Sequence, residues 1–160
     1  MSMKRLFYML AFLLAAILFT GCAAEDPAVE QENRHTAENI QDAEIDASGY
    51  YTGKEEVALY IRTFNKLPEN YITKEAAYNL GWEPKEGNLW EVTDQKSIGG
   101  DPFGNREGSL PDREGRQYYE ADINYEGGYR GPERMVYSND GLIFYTSDHY
   151  DTFTLLYGDE

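Results

Sequence analysis

Cysteine and positive charge are the two things this sequence has least of. A single cysteine, Cys22, in 160 residues excludes a disulfide framework. Lysine and arginine number 14 against 29 aspartates and glutamates, for a net charge of −15. Proteins that hold polyanions by overall charge rely on basic patches, so any anion binding here has to be local. No internal repeat is visible. The acidic clusters lack metal-ligand spacing, and neither a metal nor another cofactor is implied.

The longest apolar stretch, Leu6 to Phe19, is shorter than the roughly 20 residues that a membrane-spanning helix wants. It follows Lys4 and Arg5 and ends on Thr20-Gly21-Cys22, the layout of an export signal over residues 1–22. Cys22 sits where a bacterial lipoprotein is processed and lipidated; an ordinary signal peptide with a cysteine near its cleavage point is the alternative. Loss of residues 1–21 removes Lys4 and Arg5 and takes the charge to −17. Residues 23–48 are rich in Glu, Asp, Asn, Gln and Ala and read as an acidic disordered tether, with His35 a silent linker histidine. The expected location is extracellular, secreted or membrane-anchored.

A folded domain is expected over residues 49–160. Val57, Tyr60, Ile61 and Phe64 share one face of a helix, which Leu67-Pro68 should end. Thr73, Lys74 to Leu80 and Gly81 read as a second helix with an N-cap and a glycine stop, and a third short helix is expected over residues 88–92. Beyond Gly99-Gly100 the character changes. The stretch around Tyr118, Ala121, Ile123 and Tyr125 has strand character, and Met135-Val136-Tyr137, Leu142-Ile143-Phe144-Tyr145 and Phe153 to Tyr157 are rich in β-formers. Asn139-Asp140-Gly141 is a hairpin signal. Helices first and strands afterwards predict an α+β domain, N-terminal helices packed on one face of a C-terminal antiparallel sheet.

Several runs carry a resemblance. Leu67-Pro68-Glu69-Asn70-Tyr71-Ile72-Thr73-Lys74, Lys96-Ser97-Ile98-Gly99-Gly100-Asp101, Asn105-Arg106-Glu107-Gly108, Glu120-Ala121-Asp122-Ile123-Asn124-Tyr125, Ser147-Asp148-His149-Tyr150 and Thr152-Phe153-Thr154 stand in order. Over residues 57–156 the chain resembles the barnase-like microbial ribonucleases. That resemblance implies an extracellular endoribonuclease cutting single-stranded RNA after guanosine, through a 2′,3′-cyclic phosphate and without a metal. It assigns Glu120 as general base, His149 as general acid, Arg130 and Arg134 as phosphate-binding guanidiniums, and Lys74 as the active-site lysine.

The residue types suit the chemistry. One group must take the 2′-hydroxyl proton and another must protonate the leaving 5′-oxygen. Planar guanidiniums match phosphoryl oxygens bidentately. Taken alone, Glu120 reads as a solvated strand carboxylate, His149 as a structural histidine, the arginines as partners of Glu126 or Glu133, and Lys74 as an ordinary surface lysine.

Base selection falls to the loop Phe103-Gly104-Asn105-Arg106-Glu107-Gly108. There Glu107 can accept from guanine's donor edge while Arg106 and backbone N–H groups meet its acceptors. Phe103 and Tyr150 are candidates for stacking on the base, with a core role the alternative for Phe103, and Tyr125 and Tyr129 are expected as wall or core residues. Two departures from the family stand out: Gly104 replaces a serine, and Gly131-Pro132 lies between the two arginines. From Gly53 onward 11 basic residues face 21 acidic ones, a balance of −10. The pKa values of Glu120 and His149 are therefore expected to be raised, and affinity for long RNA to be weak.

The resemblance also implies a barstar-like inhibitor protein as a partner, beside membrane attachment through a lipid on Cys22; a monomer is expected. The competing reading is a catalytically silent lipoprotein that keeps the cleft to bind a protein. Five clustered polar groups retained around an empty anion site argue against it. A solute-binding lipoprotein would need a larger, two-lobed fold.

Overall fold

Residues 45–159 are described by the computed structural model; the expected export signal, Cys22, His35 and nearly all of the expected tether lie outside them. Among the described residues three helices come first: α1 (Lys54–Phe64), α2 (Lys74–Asn79) and α3 (Leu89–Val92). A two-residue strand β1 (Tyr71–Ile72) separates α1 from α2. Then come β2 (Ser97–Phe103), β3 (Tyr118–Asp122), β4 (Arg134–Ser138), β5 (Ile143–Thr146) and β6 (Thr154–Tyr157). The six strands form one sheet in sequence order. Every pair from β2 to β6 is antiparallel, and β1 runs parallel to β2 at the edge. The fold is α+β, as the order of sequence patterns implies.

Strand alternation gives the sheet two differently furnished faces. Ala121, Ile123, Met135 and Ile143 are buried against Val57, Ala58 and Ile61 of α1. On the other face Tyr118, Val136 and Phe144 join Leu110 and Leu142 in a second core, over which Phe103, Tyr150 and Phe153 pack. A third cluster, Ala77, Trp82, Leu89, Ile98 and Tyr125, holds α2 and α3 to the end of the domain.

Three local details depart from the sequence expectation. Helix α1 stops at Phe64, before Leu67-Pro68, because Asn65 turns left-handed at φ 53° and its N–H closes on the Ile61 carbonyl; asparagine tolerates that conformation. The strand β2 has no alternating apolar pattern to announce it, since Gly99 and Gly100 occupy its middle. A Cβ at Gly99 would come within 2.8 Å of the Ala121 Cβ, and Gly100 sits at φ +93°. Here the β2–β3 register shifts, a bulge that re-aims the residues after it. Finally, the chain is already tied to the domain before residue 49: the Tyr60 hydroxyl donates to the Ala47 carbonyl at 2.8 Å.

Candidate active site

The β2 bulge brings Asp101 opposite Glu120 on β3. Asp101 then accepts the backbone N–H of Lys74 at 2.9 Å, and Thr73 caps α2 by accepting from the Ala76 N–H. Those two contacts fix the first turn of α2 beside β3. The Lys74 ammonium reaches the Glu120 carboxylate and pairs with Oε1. On the other carboxylate oxygen, the Tyr150 hydroxyl donates at 2.5 Å. Glu120 is only 7% exposed.

The balance of forces on Glu120 runs against the expectation from net charge. Burial is the largest influence and works to raise its pKa, but hydrogen bonds from Lys74 and Tyr150, with the charges of Lys74 and Arg130, outweigh it. The carboxyl is held below its ordinary value, so the expected rise for Glu120 is corrected. Charges a few ångströms away inside a low-dielectric site count for more than a diffuse surplus screened by solvent.

Two residues along β3, Asp122 points to the same face and is 1% exposed. Arg130 grips it with both Nε and Nη2, each at 2.6 Å. Arg134, opposite Asp122 on β4, donates from Nη1 to the Gly131 and Glu133 carbonyls at 2.7 Å. Its Nε lies 3.0 Å from Asp122 Oδ1 but is not aligned to donate, so that contact is one of charge. The arginines therefore pair with Asp122, not with the Glu126 or Glu133 carboxylates. Burial works to lower the Arg130 pKa, yet Asp122 and Glu120 keep it above the ordinary value. Asp122 escaped assignment in the sequence; the alternation Glu120, Asp122 with an arginine across the strand pair was the available signal.

His149 and Tyr150 stand on a turn held from beneath by Asp148. Its carboxylate accepts from the Thr146 hydroxyl at 2.8 Å, the Thr152 N–H at 2.9 Å and the Thr152 hydroxyl at 2.6 Å. These bonds, led by that of the Thr152 hydroxyl, hold the Asp148 pKa down at about 2. The Tyr150 N–H returns to Thr146 Oγ1 at 3.1 Å. Within that clasp His149 and Tyr150 both take left-handed conformations, φ 61° and 78°, which cost a non-glycine residue free energy and need support. His149 is exposed, its ring 5.0 Å from that of Tyr150. Through Tyr150 the histidine turn is joined to Glu120. Burial first, then Glu120, raises the Tyr150 phenol above its usual range, against an opposing effect of Arg134.

At the other end of β3, a cavity of about 420 Å³ is lined by Phe103, Gly104, Asn105, Arg106, Arg116 and Tyr118, among others. The Phe103 ring packs at 5.2 Å from that of Tyr150, inclined by 32°, which links this cavity to the carboxylate. The Asn105 amide is occupied by both backbone groups of Leu110, at 2.9 and 3.0 Å; it shapes the loop. Arg106 and Glu107 are exposed. Glu107 does not line the cavity, whereas Asp112 does. Arg116 is committed to Asp140 through Nε and Nη2. The expected wall residues divide: Tyr125 is buried, and Tyr129 is 72% exposed.

Fold and charge cluster together define an α+β domain with Lys74, Arg130 and Arg134 gathered around two buried carboxylates on one sheet face, and sequence comparison gives its family. The ribonuclease family model matches residues 54–157. The chain is 46% identical over 147 residues to a ribonuclease of Bacillus intermedius, covering 89% of this chain and 91% of that protein. It is 57% identical over 97 residues to a ribonuclease of Heyndrickxia coagulans, covering 61% and 89%. With guanyl-specific ribonuclease St of Saccharopolyspora erythraea the identity is 44% over 57 residues, 35% of this chain and 56% of that one. The chain belongs to the ribonuclease family, whose substrate is RNA.

Proposed function

We propose that this ribonuclease cuts single-stranded RNA after guanosine, with Glu120 as general base and His149 as general acid, in two metal-independent steps. The observation that carries the reading is the Glu120 carboxylate, buried, held ionised, and set between Lys74 and the Asp122-anchored arginines. In the first step Glu120 takes the 2′-hydroxyl proton as that oxygen bonds to phosphorus. His149 protonates the departing 5′-oxygen, leaving a 2′,3′-cyclic phosphate. In the second step the roles reverse: His149 takes a proton from water, whose oxygen bonds to phosphorus, and Glu120 returns a proton to the 2′-oxygen. Lys74, Arg130 and Arg134 offset the negative charge that builds on the phosphoryl oxygens.

Guanosine preference rests on the cavity beside Phe103 and Tyr150, with Arg106 at its rim, and on the guanyl-specific name of one relative. Backbone N–H groups of the loop, not the Asn105 amide, would meet the base there. Gly104 costs no room: a Cβ at that position would meet only Arg106 atoms at ordinary contact distance.

The test is cyclic-phosphate formation from guanosine- and adenosine-first dinucleotides in EDTA, with His149→Ala beside the wild type. Guanosine-selective turnover that falls by about 10²–10⁴-fold in the variant is expected. Absence of turnover by the folded wild type would transfer the cleft to the silent, partner-binding reading. Residues 1–22 are proposed as the export signal, with Cys22 lipidated and the following acidic segment as tether. Cys22→Ser should then abolish incorporation of labelled fatty acid into the chain; unchanged labelling would refute lipidation at Cys22.

A further inference from the structure

We propose that Tyr78 is a stacking site for RNA bases on the leaving-group side of the cut, an inference that rests on the RNA-cleaving reading above. Along β3 the functional groups are ordered. Tyr118, paired with Phe103, marks the base-selecting end, Glu120 the centre, and Asp122 with its arginines the opposite end. A guanosine seated at the first end leaves its 3′-phosphate over Glu120. The strand beyond the cut then runs toward Arg130.

At that end Tyr78 is 54% exposed. It stands one turn of α2 after Lys74, positions that are neighbours on a helix surface, and Lys74 itself contacts Glu120. The Tyr78 ring packs at 5.0 Å on Trp82, inclined by 33°. Trp82 is buried, and the Arg130 guanidinium lies 5.9 Å from its ring. Tyr78 is thus backed by a buried indole, with Lys74 one helical turn away and Arg130 over the same indole. An isolated exposed tyrosine would mean nothing. One that is backed in this way, a helical turn from Lys74, is a platform of the kind that single-stranded nucleic acid uses.

The charge of the domain gives the platform its purpose. With 11 basic and 21 acidic residues from Gly53 on, long-range attraction cannot hold a strand across the surface. Stacking does not depend on net charge and tolerates any base. Downstream binding should accordingly favour stackable bases and weaken little with salt.

The experiment compares kcat/KM of the purified protein on two trinucleotides that begin with guanosine. The two downstream residues are adenosines in one and abasic in the other, and wild type is set against Tyr78→Ala and Tyr78→Phe. Wild type should favour the adenosine substrate by about tenfold. Tyr78→Ala should erase that preference without slowing the abasic substrate, and Tyr78→Phe should keep it. Equal rates on both substrates in wild type, or equal slowing of both by Tyr78→Ala, would overturn the platform. Failure of the cleavage reading looks different, since neither substrate would then be cut. A urea melt of each variant guards against misfolding; if Tyr78→Ala does not fold, Tyr78→Gln takes its place in the same comparison.

Discussion

The same strands furnish both faces of the sheet, yet the two faces are held by different physics. Toward α1, Ala121, Met135 and Ile143 meet Val57, Ala58 and Ile61 in contacts that ask only for apolar volume and close packing. On the opposite face Glu120, Asp122, Arg134 and Thr146 are also nearly fully buried, and there every polar atom needs a particular partner. Volume can be repacked; a charge cluster cannot lose one member without stranding the rest. Both faces thus contribute stability, but only the polar one carries the proposed chemistry.

The largest effects should separate the faces by what they damage. Met135→Ala, on the α1 face, is expected to cost about 2–5 kcal/mol in urea unfolding while the folded protein keeps kcat within a few-fold. Asp122→Ala should cost a similar amount, about 3–5 kcal/mol, because two guanidiniums lose their shared carboxylate in a buried setting. It should also lower kcat on the order of 10²–10³-fold under conditions where the protein stays folded. Equal effects of the two variants on kcat would erase the distinction between faces.

An intermediate effect is expected from the clasp under the histidine turn. Asp148→Ala removes three acceptor contacts from a segment whose His149 and Tyr150 are left-handed. Displacing an acid by about 1 Å can cost up to a hundredfold, so kcat/KM should fall by ten- to a hundredfold. The urea midpoint should move far less than in Asp122→Ala. The sign with pH follows from the lowered value: the clasp's contribution is present above the ordinary aspartate range and is lost only as pH falls through about 2. Thr152→Val, which keeps the carboxylate and removes one donor, should lie between Asp148→Ala and wild type. An unchanged kcat/KM in Asp148→Ala would make the clasp irrelevant to catalysis.

How much of this was legible in the sequence follows the same division. Apolar periodicity marks α1, which buries one face; runs of β-formers mark β4 and β5, which are largely buried, and β6, which is not; Thr73 with Gly81 brackets α2 within a residue or two. Strand β2 was hidden: Ser-Ile-Gly-Gly-Asp-Pro-Phe has no alternation and only Ile98 and Phe103 as β-formers, and its shape depends on Gly99 approaching Ala121. Site residues were legible only through resemblance, since composition and net charge point away from an anion site. Net charge misled directly on Glu120, whose surroundings are cationic within an acidic molecule. Asp148 bonds to Thr146 and Thr152 only once the turn between them forms, and Asp122 meets Arg130 and Arg134 only once β3 and β4 align. Asn105 was legible as part of the loop, yet its commitment to Leu110 appears only once that loop closes.

The smallest effect is the sharpest check on that local electrostatics, because it appears as a displacement along the pH axis. In the proposed reaction Glu120 acts as base when ionised, so its lowered pKa should keep the enzyme active further into acid than an ordinary carboxylate would. The same group contributes stability that is present above the ordinary glutamate value and lost as pH falls through its lowered one. Removing a partner of the charged form must raise the pKa and move the acid limb of kcat/KM upward. Lys74→Met withdraws both a hydrogen bond and a full charge, whereas Tyr150→Phe withdraws one hydrogen bond and leaves the ring against Phe103. Both limbs should therefore shift to higher pH, that of Lys74→Met further, whatever happens to the plateau rates. A limb that stays in place in Lys74→Met, or moves to lower pH, would mean that diffuse acidity governs the site after all, and that the cationic setting of Glu120 does not outlive contact with solvent and substrate.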